Sequence, residues 1–379
     1  MKGGEMGPCG EGGLMGLLRG QAGEFASCLK RPADAEYRDE AELVRLLRET
    51  ADLGWTGLLI EADRGGEGAG WPEAVVVAEE LAAREAPLAA MLVSHLVCSY
   101  GISLWGSEEQ LRLLLPPLAR CERLGAVGLT EPERGTDFDQ PLASLAGNGE
   151  SLLLNGNKCF VTNAGEGHGF ALLTLARGEG GLAALCLLSD APGLYLAHRY
   201  VFSGWEGLPN RALVLQDCKV PGDGLLREGL GRDDLIVLLD GAWLLVAALA
   251  AGMSRACLEE ASAYARERKQ GGGRLVFHQS LRFRLADMAT GLELLRSSLY
   301  PAASRLQAGH GIHAEICMLK LFAVSRLEET ASSAVEMGGG FGYTAESRLS
   351  RLWRQAKGLQ FLWGTRELAR LELARCLGL

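Results

Sequence analysis

The sequence predicts an α+β fold in three parts: a helical domain over 1–123, a β domain over 124–221 and a bundle of long helices over 222–379. Two observations carry this. Apolar residues recur at helical spacing, shift to a period near two with dense turn signals, and then return to helical spacing. A chain of 379 residues also has enough length for two or three sub-domains around a sizeable core.

Residues 1 to about 35 are Gly-rich and poorly patterned, and are expected to be irregular or loosely attached. From Glu40 to Arg123 the period is helical. Val75, Val76, Ala78, Leu81 and Ala82 make one face, and Leu111, Leu114, Leu115 and Leu118 make another. In the middle third, Leu152-Leu153-Leu154 is followed by the turn pair Asn155-Gly156 and then by Cys159-Phe160-Val161-Thr162, a hairpin signal. Ala212-Leu213-Val214-Leu215 is punctuated by Asp217 and by Val220-Pro221. Beyond Asp233, Leu281, Leu285, Met288, Leu292 and Leu295 form a helical stripe. No internal repeat is present.

Composition narrows the function. With 48% apolar and 22% charged residues the chain reads as a globular protein. A net charge of −9 argues against nucleic-acid binding, which needs clustered Lys and Arg. No run reaches the roughly 18 uninterrupted apolar residues of a membrane span. The most apolar stretch, Leu235 to Ala251, is broken by Asp240 and reads as a buried core helix. The opening Met1-Lys2-Gly3-Gly4-Glu5 lacks a signal-peptide core. Ten dispersed cysteines without a Cys-x-x-Cys pair predict reduced thiols and a cytoplasmic protein. His310 and His313 form His-x-x-His without a third ligand nearby, so a solvent-facing helix end is expected rather than a metal site.

Four blocks carry chemistry. The first is Leu129-Thr130-Glu131-Pro132 with Gly135-Thr136-Asp137, a turn offering backbone N–H groups and hydroxyls. The second is Leu154-Asn155-Gly156-Asn157-Lys158-Cys159-Phe160-Val161-Thr162-Asn163, the third Tyr264-Ala265-Arg266-Glu267-Arg268-Lys269-Gln270 followed by His278-Gln279 and Leu285-Ala286-Asp287-Met288-Ala289. The fourth runs from Gly339-Gly340 to Phe361-Leu362-Trp363-Gly364-Thr365. Taken singly, the first two also read as an ordinary turn and a surface hairpin. Together and in this order, over about Leu43 to Ala374, they resemble the acyl-CoA dehydrogenase family of flavoproteins.

The resemblance implies a middle β barrel or sandwich, a C-terminal four-helix bundle, an FAD cofactor and a tetramer with shared flavin sites. Leu129, Thr130, Thr136, Phe160, Val161 and Thr162 would surround the flavin ring, with Thr136 also meeting the thioester oxygen. Arg268 would contact the diphosphate, where a guanidinium makes charge-assisted bonds. Gln270, His278, Gln279, Gly339, Gly340, Thr365 and Glu367 fall at further flavin positions. Glu336 stands where an amide is usual, and Gly271-Gly272-Gly273 replaces an aromatic-glycine pair. Substrate contacts are expected at Thr136, Asp240, Trp243 and Gly364.

One departure concerns the chemistry itself. The family takes the substrate's α-proton with a carboxylate at one of two positions, which here hold Trp363 and Ala242. Neither side chain accepts a proton at neutral pH. The resemblance therefore implies a dehydrogenase acting on acyl-CoA or acyl-carrier-protein thioesters, with an electron-transfer flavoprotein or similar acceptor, as a divergent chain or as one partner of a heterotetramer. A flavin oxidase or monooxygenase on the same fold, and a non-catalytic structural subunit, are the alternatives.

Overall fold

The computed structural model describes residues 13–29, 38–147 and 152–379. The opening Met1–Glu5 stretch lies outside the described residues. Within the Gly-rich beginning, however, Leu14–Cys28 forms a helix, α1, where irregular chain was expected. Its small residues explain this: Ala22 and Ala26 are buried with Leu18, and Arg19 donates to the Tyr300 hydroxyl at 2.6 Å.

The rest of the N-terminal domain comprises α2 (Glu40–Glu49), α3 (Trp71–Ala82), α4 (Ala86–Trp105) and α5 (Glu108–Ala119). Ser107 and Gln110 form a capping box at the start of α5. The Gln110 amide also donates to the carbonyls of Asp223 and Leu225, which ties this domain to the sheet.

The middle domain holds one eight-stranded sheet: β1 (Leu124–Gly128), β2 (Ser144–Ala146), β3 (Leu152–Thr162), β4 (Phe170–Gly178), β5 (Gly181–Leu188), β6 (Leu194–Arg199), β7 (Asn210–Val220) and β8 (Leu225–Arg227). Strand order is β6-β7-β3-β2-β4-β5-β8, with β1 lying parallel to β4. The sheet thus runs to Arg227, past 221. The two expected turn signals are not turns. Asn155 of β3 lies opposite Gln216 and Asp217 of β7, a single bulge at which the register shifts by one residue. Asn155 Oδ1 accepts from the Asp217 N–H at 2.8 Å, and Asn155 Nδ2 donates to Asp217 Oδ1 at 3.2 Å. Side chain and backbone satisfy each other here, so the strands continue.

The C-terminal part contains three long helices, α6 (Arg232–Glu267), α7 (Gln279–Gln307) and α8 (His313–Gly342), and two short ones, α9 (Arg348–Leu359) and α10 (Arg366–Cys376). Helices α4 and α6 are long and apolar enough to cross a membrane, but 83% and 89% of their apolar windows lie inside the protein. Helices apolar on every side are core helices when other elements surround them. The close crossing of α6 over α3 depends on Gly252, where a Cβ would meet the Glu79 carbonyl oxygen at 2.1 Å.

Candidate active site

A cavity of about 490 Å³ opens between the sheet and the C-terminal helices. The loop after β1 contributes Leu129, Thr130 and Thr136, and β3 contributes Cys159, Phe160 and Thr162. The turn between α9 and α10 contributes Phe361, Leu362, Trp363, Gly364 and Thr365.

The β1 loop is pinned from below. Lys158 Nζ donates to Glu131 Oε1 at 2.7 Å and to the Leu175 carbonyl at 2.8 Å, with both charged side chains buried. Glu131 also accepts from the N–H groups of Leu142 and Ala143, at 2.6 and 3.1 Å. Burial opposes the Glu131 carboxylate, but Lys158 and these N–H groups outweigh it and hold its pKa below the usual value. The Cys159 N–H donates to the Thr130 carbonyl at 2.8 Å, which joins this loop to β3. There a bulge leaves Phe160 at φ 57°, half exposed at the cavity mouth against the Tyr200 ring at 4.5 Å. Thr162 Oγ1 accepts from Asn210 Nδ2 at 3.0 Å, leaving its own proton free to donate.

The Trp363-Gly364 turn has left-handed backbone at both residues, φ 57° and 91°. Its carbonyls point into the protein. Trp243 Nε1 donates to the Trp363 oxygen at 2.7 Å, and Lys320 Nζ donates to the same oxygen at 3.1 Å and to that of Gly364 at 2.7 Å. Lys320 is wholly buried and lies 4.6 Å from the Trp243 ring centre. Burial pulls its pKa down to about 7, while two carbonyls and an indole face act in favour of the ammonium.

Three expectations are corrected here. Trp243, expected at the substrate, does not line the cavity; it is fully buried behind the turn, stacked on His313 at 5.9 Å. Asp240, expected at the substrate, also turns away and accepts from His313 Nδ1 at 2.6 Å. Burial raises the Asp240 pKa and His313 lowers it. His313 is accordingly half-buried and paired rather than solvent-facing, because α8 begins against α6. No cluster of three metal-ligating side chains occurs among the described residues. Lys320 was missed by sequence reasoning. The available signal was a lysine within the apolar stripe Ile316, Leu319, Ala323, Val324 and Leu327.

The expected flavin residues divide into two groups. Leu129, Thr130, Thr136, Phe160, Thr162 and Thr365 line the cavity with Gly364, while Val161 is buried beside them. Thr365 also caps α10 by accepting from the Leu368 N–H at 3.3 Å, and Glu367, one residue into that helix, faces solvent beside Arg370. The others lie where the far end of α6, the start of α7 and the break in α8 meet. Arg268 follows the last turn of α6, His278 Nε2 lies 3.2 Å from the Gln270 carbonyl, and Gln279 opens α7. Tyr264 stacks on Phe341 at 6.4 Å, next to Gly339, whose φ 58° and ψ −147° interrupt α8 with Gly340 following. Glu336 is paired with Arg284 at 2.5 Å.

Family models describe nearly the whole chain: acyl-CoA dehydrogenase N-terminal domain over residues 16–122, middle domain over 126–218 and C-terminal domain over 231–378. The chain belongs to the acyl-CoA dehydrogenase family. It is 32% identical to mitochondrial isobutyryl-CoA dehydrogenase of Bos taurus, over 93% of this chain and 86% of that protein. Among solved structures, butyryl-CoA dehydrogenase from Megasphaera elsdenii superposes with a TM-score of 0.90 at 30% identity, covering 98% of this chain and 100% of that one. A chain from work on the electron transferring flavoprotein of Acidaminococcus fermentans gives 0.90 at 30%, covering 99% of each. This acyl-CoA dehydrogenase-like chain is thus an oxidoreductase flavoenzyme of a family that is FAD-dependent.

The residues present fit such a cofactor. Asn210, in the cavity wall, has its Oδ1 buried without a partner among the described residues, an acceptor that a ring N–H would satisfy. The Arg268 guanidinium is exposed and carries no hydrogen bond or ion pair among the described residues, its backbone alone bonding to Tyr264 and Leu275. A carboxylate at Glu336 would repel a diphosphate beside it, and Arg284 offsets that charge by pairing with it.

Proposed function

We propose that this chain is an FAD-binding subunit of an acyl-CoA dehydrogenase-type enzyme that cannot abstract the α-proton of a thioester by itself. In a mixed tetramer, a homologous partner subunit that keeps its own base turns over the substrate. The carrying observation is the cavity lining: among the described residues it contains no carboxylate, imidazole or amine, and the Cys159 thiol is its one titratable side chain. A positioned general base is worth roughly 10²–10⁴ in rate, and an indole at Trp363 supplies none of it. A bound flavin would supply the two-electron oxidant. This chain's part is to seat the ring between Thr162 and the Trp363 turn and to keep water from it.

The substrate class of the mixed enzyme is a CoA or carrier-protein thioester, as the names of the relatives suggest, and its acceptor is an electron-transfer flavoprotein. The nine cysteines among the described residues are all free, which favours a reducing compartment such as the cytoplasm. The test is anaerobic mixing of the flavin-loaded protein with saturated acyl-CoAs, alone and after co-expression with a homologous subunit that has a glutamate before its Gly-Thr. Bleaching of the flavin band only in the mixed complex is expected. Rapid bleaching of the protein alone would overturn the proposal.

A further inference from the structure

The groups behind Trp363 form a fastening. The carbonyl oxygen of Trp363 accepts from an indole N–H of α6 and an ammonium of α8, and the same ammonium holds the next carbonyl. Trp243 in turn is backed by the His313 ring, which Asp240 orients through Nδ1. A non-glycine residue at φ 57° persists only where its surroundings over-determine it. Here two helices do so, at a residue that lines the cavity.

We propose that Trp363 is a fixed plug and the specificity-determining residue of this cavity. Held by the positioning residues Trp243 and Lys320, it closes the cavity to acyl thioesters while leaving room for a flat ring. The inference rests on the flavin-site reading above and goes beyond it. Lacking a base abolishes turnover, whereas a plug abolishes substrate binding. Behind the turn, the Trp363 carbonyl meets the Trp243 indole N–H and the Lys320 ammonium, with the Asp240–His313 pair beyond them. An aliphatic chain entering there would have to desolvate charged and polar groups without replacing their partners.

Octanoyl-CoA is the probe, added to the flavin-loaded protein and followed by calorimetry and by perturbation of the flavin spectrum. Flavin content is measured separately. The unmodified chain should show no binding up to about millimolar ligand, a limit on the weak side of ordinary substrate affinity. Trp363→Gly removes the indole at a position whose backbone glycine adopts freely, and should bind octanoyl-CoA at least tenfold more tightly with flavin content retained. Lys320→Met should loosen the turn and raise the accessibility of the flavin to sulfite without creating a base. Should the glycine variant fail to fold, Trp363→Asn keeps a residue tolerant of left-handed backbone and carries the same expectation.

Micromolar binding of octanoyl-CoA by the unmodified chain would overturn the plug, and so would a folded, flavin-retaining Trp363 variant that still excludes the ligand. Binding without bleaching in the unmodified chain sinks the plug and leaves the missing-base reading intact. Bleaching of the unmodified chain sinks both, because the ligand must bind before it can reduce the flavin. The two failures are therefore distinguishable.

Discussion

At the scale of single residues, two buried polar side chains make measurable predictions. His95 is completely buried, with Nε2 donating to the Leu118 carbonyl at 3.1 Å and Nδ1 accepting from the Gly125 N–H at 2.9 Å. Burial lowers its pKa from 6.5 to about 4. Between those values the unfolded chain binds the proton that the folded chain refuses. Its contribution is thus complete above 6.5 and lost as pH falls through 4, amounting to about 3 kcal/mol. Equilibrium urea unfolding across that window should show this decline, and His95→Gln should flatten it. Lys158→Met should cost about 3–5 kcal/mol by leaving the Glu131 carboxylate buried without its cation. A midpoint within error of the parent would show that Glu131 is satisfied by N–H groups alone. The sequence could name Trp363 as a missing base but could not show where its carbonyl points. That direction depends on Trp243 and Lys320, 120 and 43 residues away.

Among the elements, α3 and α6 cross at the smallest residue available. Gly252→Ala should destabilise by about 1–3 kcal/mol, since the added methyl meets backbone that cannot move aside; thermal unfolding of the purified variant checks this. Sequence periodicity revealed the helices because their buried faces repeat along one element. It revealed the strands of the middle domain for the same reason. It misread Asn155-Gly156 and Asp217 because each alone is a turn signal, and only the placement of Asn155 opposite Asp217 makes the site a bulge. Likewise α1 escaped notice, since a helix of small residues packing on a neighbour leaves little mark in hydrophobicity. The site was legible where it lies on contiguous blocks, as with Thr130, Thr136 and Thr162. It was not legible where helices meet, as with Asp240 and His313.

At the scale of the whole molecule the prediction concerns Arg268. Its replacement by Ala should weaken FAD binding by about 1.5–3 kcal/mol, the range for a hydrogen bond to a charged group; equilibrium dialysis of flavin measures it. Unchanged affinity would place the diphosphate elsewhere. Helix α6 gives this residue a further meaning. It is a ruler: one end, at Leu239, forms part of the cavity wall, and the other ends just before Arg268. Between Leu239 and Glu267 it rises roughly 42 Å at about 1.5 Å per residue. That separation exceeds what a single dinucleotide can span between its ring and its diphosphate. If Arg268 is a diphosphate ligand, a flavin whose ring occupies this chain's cavity would take its guanidinium from another chain, and this chain's Arg268 would serve another flavin. Arg268 as a diphosphate ligand and the chain as part of an oligomer are one hypothesis, so diluting the assembly to monomers should release the cofactor as surely as removing the arginine.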